Sequence, residues 1–232
     1  MKKSILKLCV FVFLLLSGIN GQAQLRQGHI IIDPYYGFPN FGKNVAILSR
    51  NALLPIIQEE VPNLSDDIEI GIKGYGPMGG RLEYMAWDRI GFGVDFIYNS
   101  TFANFQVDSL NPDGTLFDKF YVDYKMHRIR VHFRANYHFL NKKHIDMYAG
   151  IGMGYNTRLH RVETDFLGFH DLSNSFAFAY PYSARIAYGM RVYPQENVGF
   201  NFELGLGGPL VSAGISVRFN PLKEENDPIR FD

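Results

Sequence analysis

The chain has 232 residues, with 23 Lys and Arg against 23 Asp and Glu, and 15% of its residues are aromatic. The length suits one barrel or one to two ordinary domains. The even charge excludes the strongly basic balance of a nucleic-acid binder or a polybasic membrane-surface patch.

Met1-Lys2-Lys3 is a basic n-region, Leu8 to Leu16 is an apolar h-region, and Gly21 and Ala23 hold the small-residue positions before a cut after Ala23. The expectation is a signal peptide over residues 1–23, and hence export. As a helix this run is too short to span a membrane, which takes about 20 residues. Cys9 is the sole cysteine and lies inside the signal, so the mature chain has no disulfide and no thiolate chemistry. No later segment is apolar for long enough to be a transmembrane helix. If the mature chain is in a membrane, it is there as strands.

Gly28 to Tyr36 (GHIIIDPYY) reads as the first strand, broken by Gly37-Phe38-Pro39-Asn40. Asn44 to Asp67 is the longest connection. Within it NALLPIIQEEV carries a weak helical pattern, with Leu53, Leu54, Ile57 and Val61 roughly on one face. Pro55 there either opens a helical turn or forbids one. Two readings stand: a partly ordered outer loop, or a lid over a barrel mouth. Ile68 to Trp87 carries the second strand, its membrane part from Pro77 onward, and Asp88-Arg89 is a tight turn. The third strand runs from Ile90 to Asn99, followed by a loop with the turn residues Asn111-Pro112-Asp113-Gly114.

The fourth strand, Tyr121 to Phe139, states the pattern most clearly. Ile129, Val131, Phe133, Ala135, Tyr137 and Phe139 share one parity, and Arg128, Arg130, His132, Arg134, Asn136 and His138 the other. Side chains of a strand alternate between faces, so this segment meets two different environments. Asn141-Lys142-Lys143 turns it. The fifth strand (Ile145 to about His160), the sixth (Phe178 to Tyr193), the seventh (Val198 to Gly205) and the eighth (Val211 to Phe219) alternate in the same way. Eight strands, with short connections after the second, fourth and sixth, predict an all-β, eight-stranded antiparallel up-and-down transmembrane β-barrel over residues 24–219. A polar tail, residues 220–232, is expected on the periplasmic side.

Alternation alone does not say which face points outward, since a lipocalin-type barrel in water shows the same period. The polar face decides it. Gly91, Gly93, Gly150, Gly152, Gly154, Gly189, Gly199 and Gly205 leave room in a narrow lumen. Arg81, Arg128, Arg130, Arg134, Arg185, Arg191 and Arg218 fill it, with Glu83, Asp95 and Glu203 as the acids. Each arginine turned to lipid near the midplane would cost about 2–4 kcal/mol. These ten charged residues are the predicted lumen network, with basic members in excess and little or no conductance expected.

Together the signal peptide, the eight alternating strands and the ending GISVRF at Phe219 resemble the small outer-membrane β-barrels of the OmpA/OmpX type. The stretches GQAQ and QGHIIIDPYYGFPNF resemble the barrel-domain proteins of Bacteroidota outer membranes. The resemblance covers nearly the whole mature chain and rests on pattern rather than on a signature motif. It implies a porin-like protein of the Gram-negative cell outer membrane, in contact with its lipid and handled by barrel-assembly machinery during biogenesis. In that family the terminal aromatic often ends the chain, whereas here a tail follows Phe219. No functional residues carry over.

Three functions remain open: a structural or binding protein acting through outer loops, an accessory subunit of a secretion or assembly complex, and a lipid A-modifying hydrolase. A hydrolase needs a hydroxyl beside a histidine oriented by an acid, and His160, His170, Asp171, Ser173 and Ser175 supply these types. Ser and Asp are equally what a turn uses. The histidines show no metal-ligand spacing and no cofactor motif appears, so neither a metal nor a cofactor is expected, nor a catalytic set. An extracellular or envelope protein partner is left unnamed.

Overall fold

A computed structural model describes residues 25–60, 69–110, 116–164 and 181–219. The expected signal peptide and tail, the Asn111–Gly114 turn and the His170, Asp171, Ser173 and Ser175 group lie outside the described residues.

Eight strands close into one antiparallel barrel in sequence order: β1 (Ile30–Phe38), β2 (Glu69–Trp87), β3 (Ile90–Leu110), β4 (Leu116–Asn141), β5 (Ile145–Thr164), β6 (Tyr182–Val192), β7 (Val198–Leu206) and β8 (Val211–Phe219). Each strand pairs with the next, and β1 pairs back to β8 with Ile30 opposite Phe219. Closure leaves no open seam in the barrel wall, while at the loop end β2 runs past its pairing with β1 and β5 past its pairing with β6. One helix, α1 (Phe41–Glu60), follows β1. Among the described residues no helix is long and apolar enough to cross a membrane.

The radial order inverts that of a protein folded around an apolar core. Outward positions carry Leu82, Phe92, Phe133, Ile151, Met153, Ile186, Phe200, Leu204 and Ile215, all exposed, with Met153 at 74%. Inward positions carry buried arginines, carboxylates, histidines and asparagines. Aromatics collect toward both ends of the outer surface. Trp87 meets Phe92 edge-on at 6.2 Å and Phe139 stacks on Tyr188 at 5.5 Å near the short turns. Tyr36, Tyr155 and Tyr182 are exposed toward the opposite end.

Several strands are longer than the alternation suggests. β3 runs on to Leu110 and β4 begins at Leu116, paired through Leu110 opposite Leu116. Beyond the aromatic zone water reaches both faces of a hairpin, so nothing enforces alternation there, and the pattern fades before the ladder does. β6 is described from Tyr182, the expected start at Phe178 lying outside the described residues, and β1 ends two residues later than expected, at Phe38.

The connection from β1 to β2 holds more structure than its sequence pattern shows. α1 starts at Phe41, ten residues before the NALLPIIQEEV stretch, and continues through Pro55. Asn40 fixes that start. Its Oδ1 accepts from the Lys43 backbone N–H at 3.1 Å, satisfying a donor the first helical turn leaves open. Its Nδ2 donates to the carbonyls of Tyr75 and Ser100 at 3.1 and 2.9 Å, which ties the cap to β2 and β3. Gly42 lets the helix come close: a Cβ there would stand 2.5 Å from Thr101 Oγ1 and 2.8 Å from Met126 Cε.

Candidate functional site

The lumen is the chemically unusual part of the molecule. At the turn end, Leu25, Ile31 and Met85 form a small apolar cluster. Leu25 is held there by Asn141, whose Oδ1 accepts from the Leu25 N–H at 3.0 Å and whose Nδ2 donates to its carbonyl at 2.7 Å. Arg218 lies at the same end, its guanidinium 3.8 Å from the centre of the Tyr193 ring and its Nε donating to the Glu196 carbonyl.

Above this cluster lies a connected ionic set. Arg191 on β6 donates to Asp33 of β1 at 2.8 Å, Glu83 of β2 at 2.6 Å and Asp146 of β5 at 2.8 Å. One guanidinium thus joins four strands, using the fork of donors that suits arginine to carboxylates. His138 sits between two of those acids, Nδ1 2.6 Å from Asp146 and Nε2 3.0 Å from Glu83. With a carboxylate oxygen at each ring nitrogen, both nitrogens must donate, which makes the ring an imidazolium. Asn136 completes Glu83 at 2.7 Å, and Ser216 donates to Asp33 at 2.6 Å.

A second centre is Glu203 on β7. It accepts from Arg134 of β4 at 2.8 Å, Arg185 of β6 at 2.6 Å and the Tyr148 hydroxyl of β5 at 2.8 Å, with Arg81 of β2 at 3.3 Å. Asp95 faces Arg134 at 3.2 Å and Arg185 at 3.4 Å, and accepts from the Tyr35 hydroxyl at 2.7 Å. Aromatic faces cover the remaining charge: Arg81 lies 4.1 Å from the Tyr35 ring centre and Arg191 4.4 Å from that of Tyr148. Tyr148 fits only because Gly189 faces it, where a Cβ would be 2.2 Å from Cζ.

Arg81, Glu83, Asp95, Arg134, Arg185, Arg191 and Glu203 therefore come together, fully buried. Arg128, Arg130 and Arg218, expected in the same network, stand outside it. Arg218 answers the turn end, while Arg128 and Arg130 lie toward the loops with neutral acceptors, Asn156 Oδ1 and the Gly207 carbonyl. Sequence reasoning missed Asp33, Asp146 and the tyrosines Tyr35 and Tyr148. With them, Arg81, Arg134, Arg185, Arg191 and His138 face Asp33, Glu83, Asp95, Asp146 and Glu203, and the charges balance. The basic excess read from the sequence belongs to the two ends of the lumen and not to its middle.

Of the residues considered for hydrolysis, only His160 is described. Its Nδ1 lies 2.6 Å from the Tyr124 hydroxyl across the β4–β5 ladder, on the extension beyond the aromatic zone. Burial, reinforced by Arg158, holds its pKa below the usual histidine range. Nearby, Lys125 donates to Glu163 at 2.9 Å and holds that carboxyl low. Among the described residues no group of His, Asp or Glu is placed to hold a metal ion.

Fold and lumen together define a class: a closed eight-stranded up-and-down barrel, apolar outside and ion-paired inside. No family model and no curated protein matches the sequence. Among solved structures, the chain is similar to the N-terminal β-barrel domain of OprF from Pseudomonas aeruginosa, with 12% identity over 84% of this chain and 99% of that one and a TM-score of 0.43. It is similar also to the outer membrane protein OprG of Pseudomonas aeruginosa (14% identity, 86% and 100% covered, TM-score 0.40). A third is Ail, the attachment invasion locus protein of Yersinia pestis (11% identity, 83% and 99% covered, TM-score 0.31). The fold assignment rests on this chain's own strand pairing.

Proposed function

We propose that this chain is an integral outer-membrane protein whose lumen is closed by its own ion pairs, and that it serves the envelope structurally and by binding at its loop end. One observation carries the reading: a continuous apolar outer surface around a buried ionic interior. In water that surface would expose large side chains on every strand, against the usual limit on apolar patches. In lipid it has its solvent, and all backbone groups of the closed ladder are satisfied without water.

A lumen of eight strands is just wide enough for its side chains, and these are mutually bonded across it. The working surface is then the loop end, where α1 and the extended β3, β4 and β5 project. Lipid of the outer membrane is the surrounding partner, and insertion by barrel-assembly machinery follows from the same reading.

Two measurements test it. Membranes carrying the protein are washed in alkaline carbonate, and the unboiled protein is run against the boiled form on a gel. Retention and a mobility shift are expected; release together with no shift would overturn the membrane assignment. In planar bilayers the purified barrel is expected to give no stable open level. A persistent large-conductance state would refute the closed lumen and leave the membrane assignment standing.

A further inference from the structure

At the loop end the first turns of α1 lie over the barrel mouth and, with the strands below, enclose a cavity of about 320 Å3. That is the lower range for small-molecule sites. Its two sides differ in chemistry. Phe41, Val45 and Ala46 of α1, with Met126 of β4, form an apolar side. Arg128 and Arg130 of β4, with Arg158 of β5, form a cationic one.

The cationic side is built, and its two β4 arginines are unanswered. Arg128 and Arg130 share one face of one strand and repel each other. The hydrogen bonds of both run to neutral acceptors, and among the described residues neither meets a carboxylate. Arg130 is only 6% exposed, yet its Nε has no hydrogen-bond partner. A buried charge left in this state carries its desolvation cost without return. A few residues deeper the same strand places Arg134 against two acids, so the difference follows from what the facing strands supply.

We infer that this cavity binds a small amphipathic carboxylate, its oxyanion on Arg128 and Arg130 and its apolar body against Phe41, Val45 and Ala46. The planar guanidinium matches a carboxylate in shape and charge. A wholly polar anion would leave the apolar side bare, and a neutral amphiphile would leave both arginines unanswered. A cavity of this volume has no room for a whole phospholipid. The inference rests on the proposed membrane placement only for the side from which the ligand arrives; the site itself is a property of the folded chain.

The test uses the full chain in nanodiscs of zwitterionic lipid and decanoate as the probe, with equilibrium dialysis against protein-free discs. Saturable uptake above the protein-free discs is expected, with decanol and inorganic phosphate both weaker. In the double variant R128Q/R130Q the affinity should fall about tenfold or more, the scale of losing a charge-assisted hydrogen bond. Filling the cavity from the helix with A46W should abolish uptake. A retained gel-mobility shift in both variants shows that the barrel is intact, and because A46W lies on α1 it leaves the barrel wall untouched. Uptake no greater than in protein-free discs would overturn the proposal. So would unchanged affinity in R128Q/R130Q, or decanol or phosphate binding as well as decanoate. None of these outcomes bears on the carbonate and gel measurements, so the membrane reading stands or falls separately.

Discussion

The lumen uses arginine in two ways, and the contrast lies between its middle and its loop end. In the middle, Arg191 contacts three carboxylates from three other strands, and Glu203 gathers Arg81, Arg134 and Arg185. At the loop end, Arg128 and Arg130 have an amide and a carbonyl. The residue type is the same and the strand is shared with Arg134. What differs is the neighbourhood set by register: Asp95 and Glu203 reach Arg134, while no acid among the described residues reaches Arg128 or Arg130. In the first setting arginine is a cross-brace; in the second it is a free valence for something that is not part of the barrel.

The largest effect should come from the brace itself. Arg191→Met leaves Asp33, Glu83 and Asp146 buried without their cation, at a cost of about 3–5 kcal/mol. Urea unfolding in lipid vesicles measures it, and an unchanged midpoint would remove the distinction between the two regions. Glu203→Gln keeps the shape and an acceptor but deletes the charge that Arg134 and Arg185 share; a loss of about 2–3 kcal/mol is expected in the same assay. Asn40→Ala removes the helix cap and should cost about 1 kcal/mol, confined to α1. Limited proteolysis should then cut within α1 sooner while the barrel keeps its gel shift; equal protection would show that Asn40 does not fix the helix. Last, R128Q/R130Q should change barrel stability by less than about 1 kcal/mol in either direction, since no ion pair is lost and a repulsion is relieved. A penalty as large as that of Arg191→Met would make the loop-end arginines structural after all.

Strand faces were legible because the two sides of each strand meet different surroundings, and nothing else writes so regular a period into a chain. Legibility stopped where that difference stops. The outer reaches of β3 and β4 stay paired, through a register shift at Ser109 and Leu110, with no alternation to announce them. Asp33 was hidden for another reason: it follows Ile30-Ile31-Ile32 and precedes Pro34, so β1 reads as a mixed segment and its inner face of Ile31, Asp33 and Tyr35 has no single character. Asp146 comes one residue into β5 after a Lys-Lys-His turn and looks like part of that turn. Missing these two acids, and counting Arg128, Arg130 and Arg218 with the rest, turned a balanced middle into an apparent basic excess. The α1 start was readable in principle from Asn40, an N-cap residue type, but Gly37-Phe38-Pro39 before it and Pro55 later both argue for a break.

Closure of β1 on β8 carries a consequence for how the molecule comes into being. Asp33 receives Ser216 across 183 positions of sequence and Arg191 across 158. These contacts span most of the chain's length, and such topologies assemble slowly, because loop entropy is spent before the contacts reward it. Until the final strand arrives, the half-made sheet carries Asp33, Glu83 and Arg134 on a concave side that has no opposite wall. Those charges need water for as long as the wall is missing. Closure of the ladder and drying of the interior must therefore finish together, with the last strand completing both in one event.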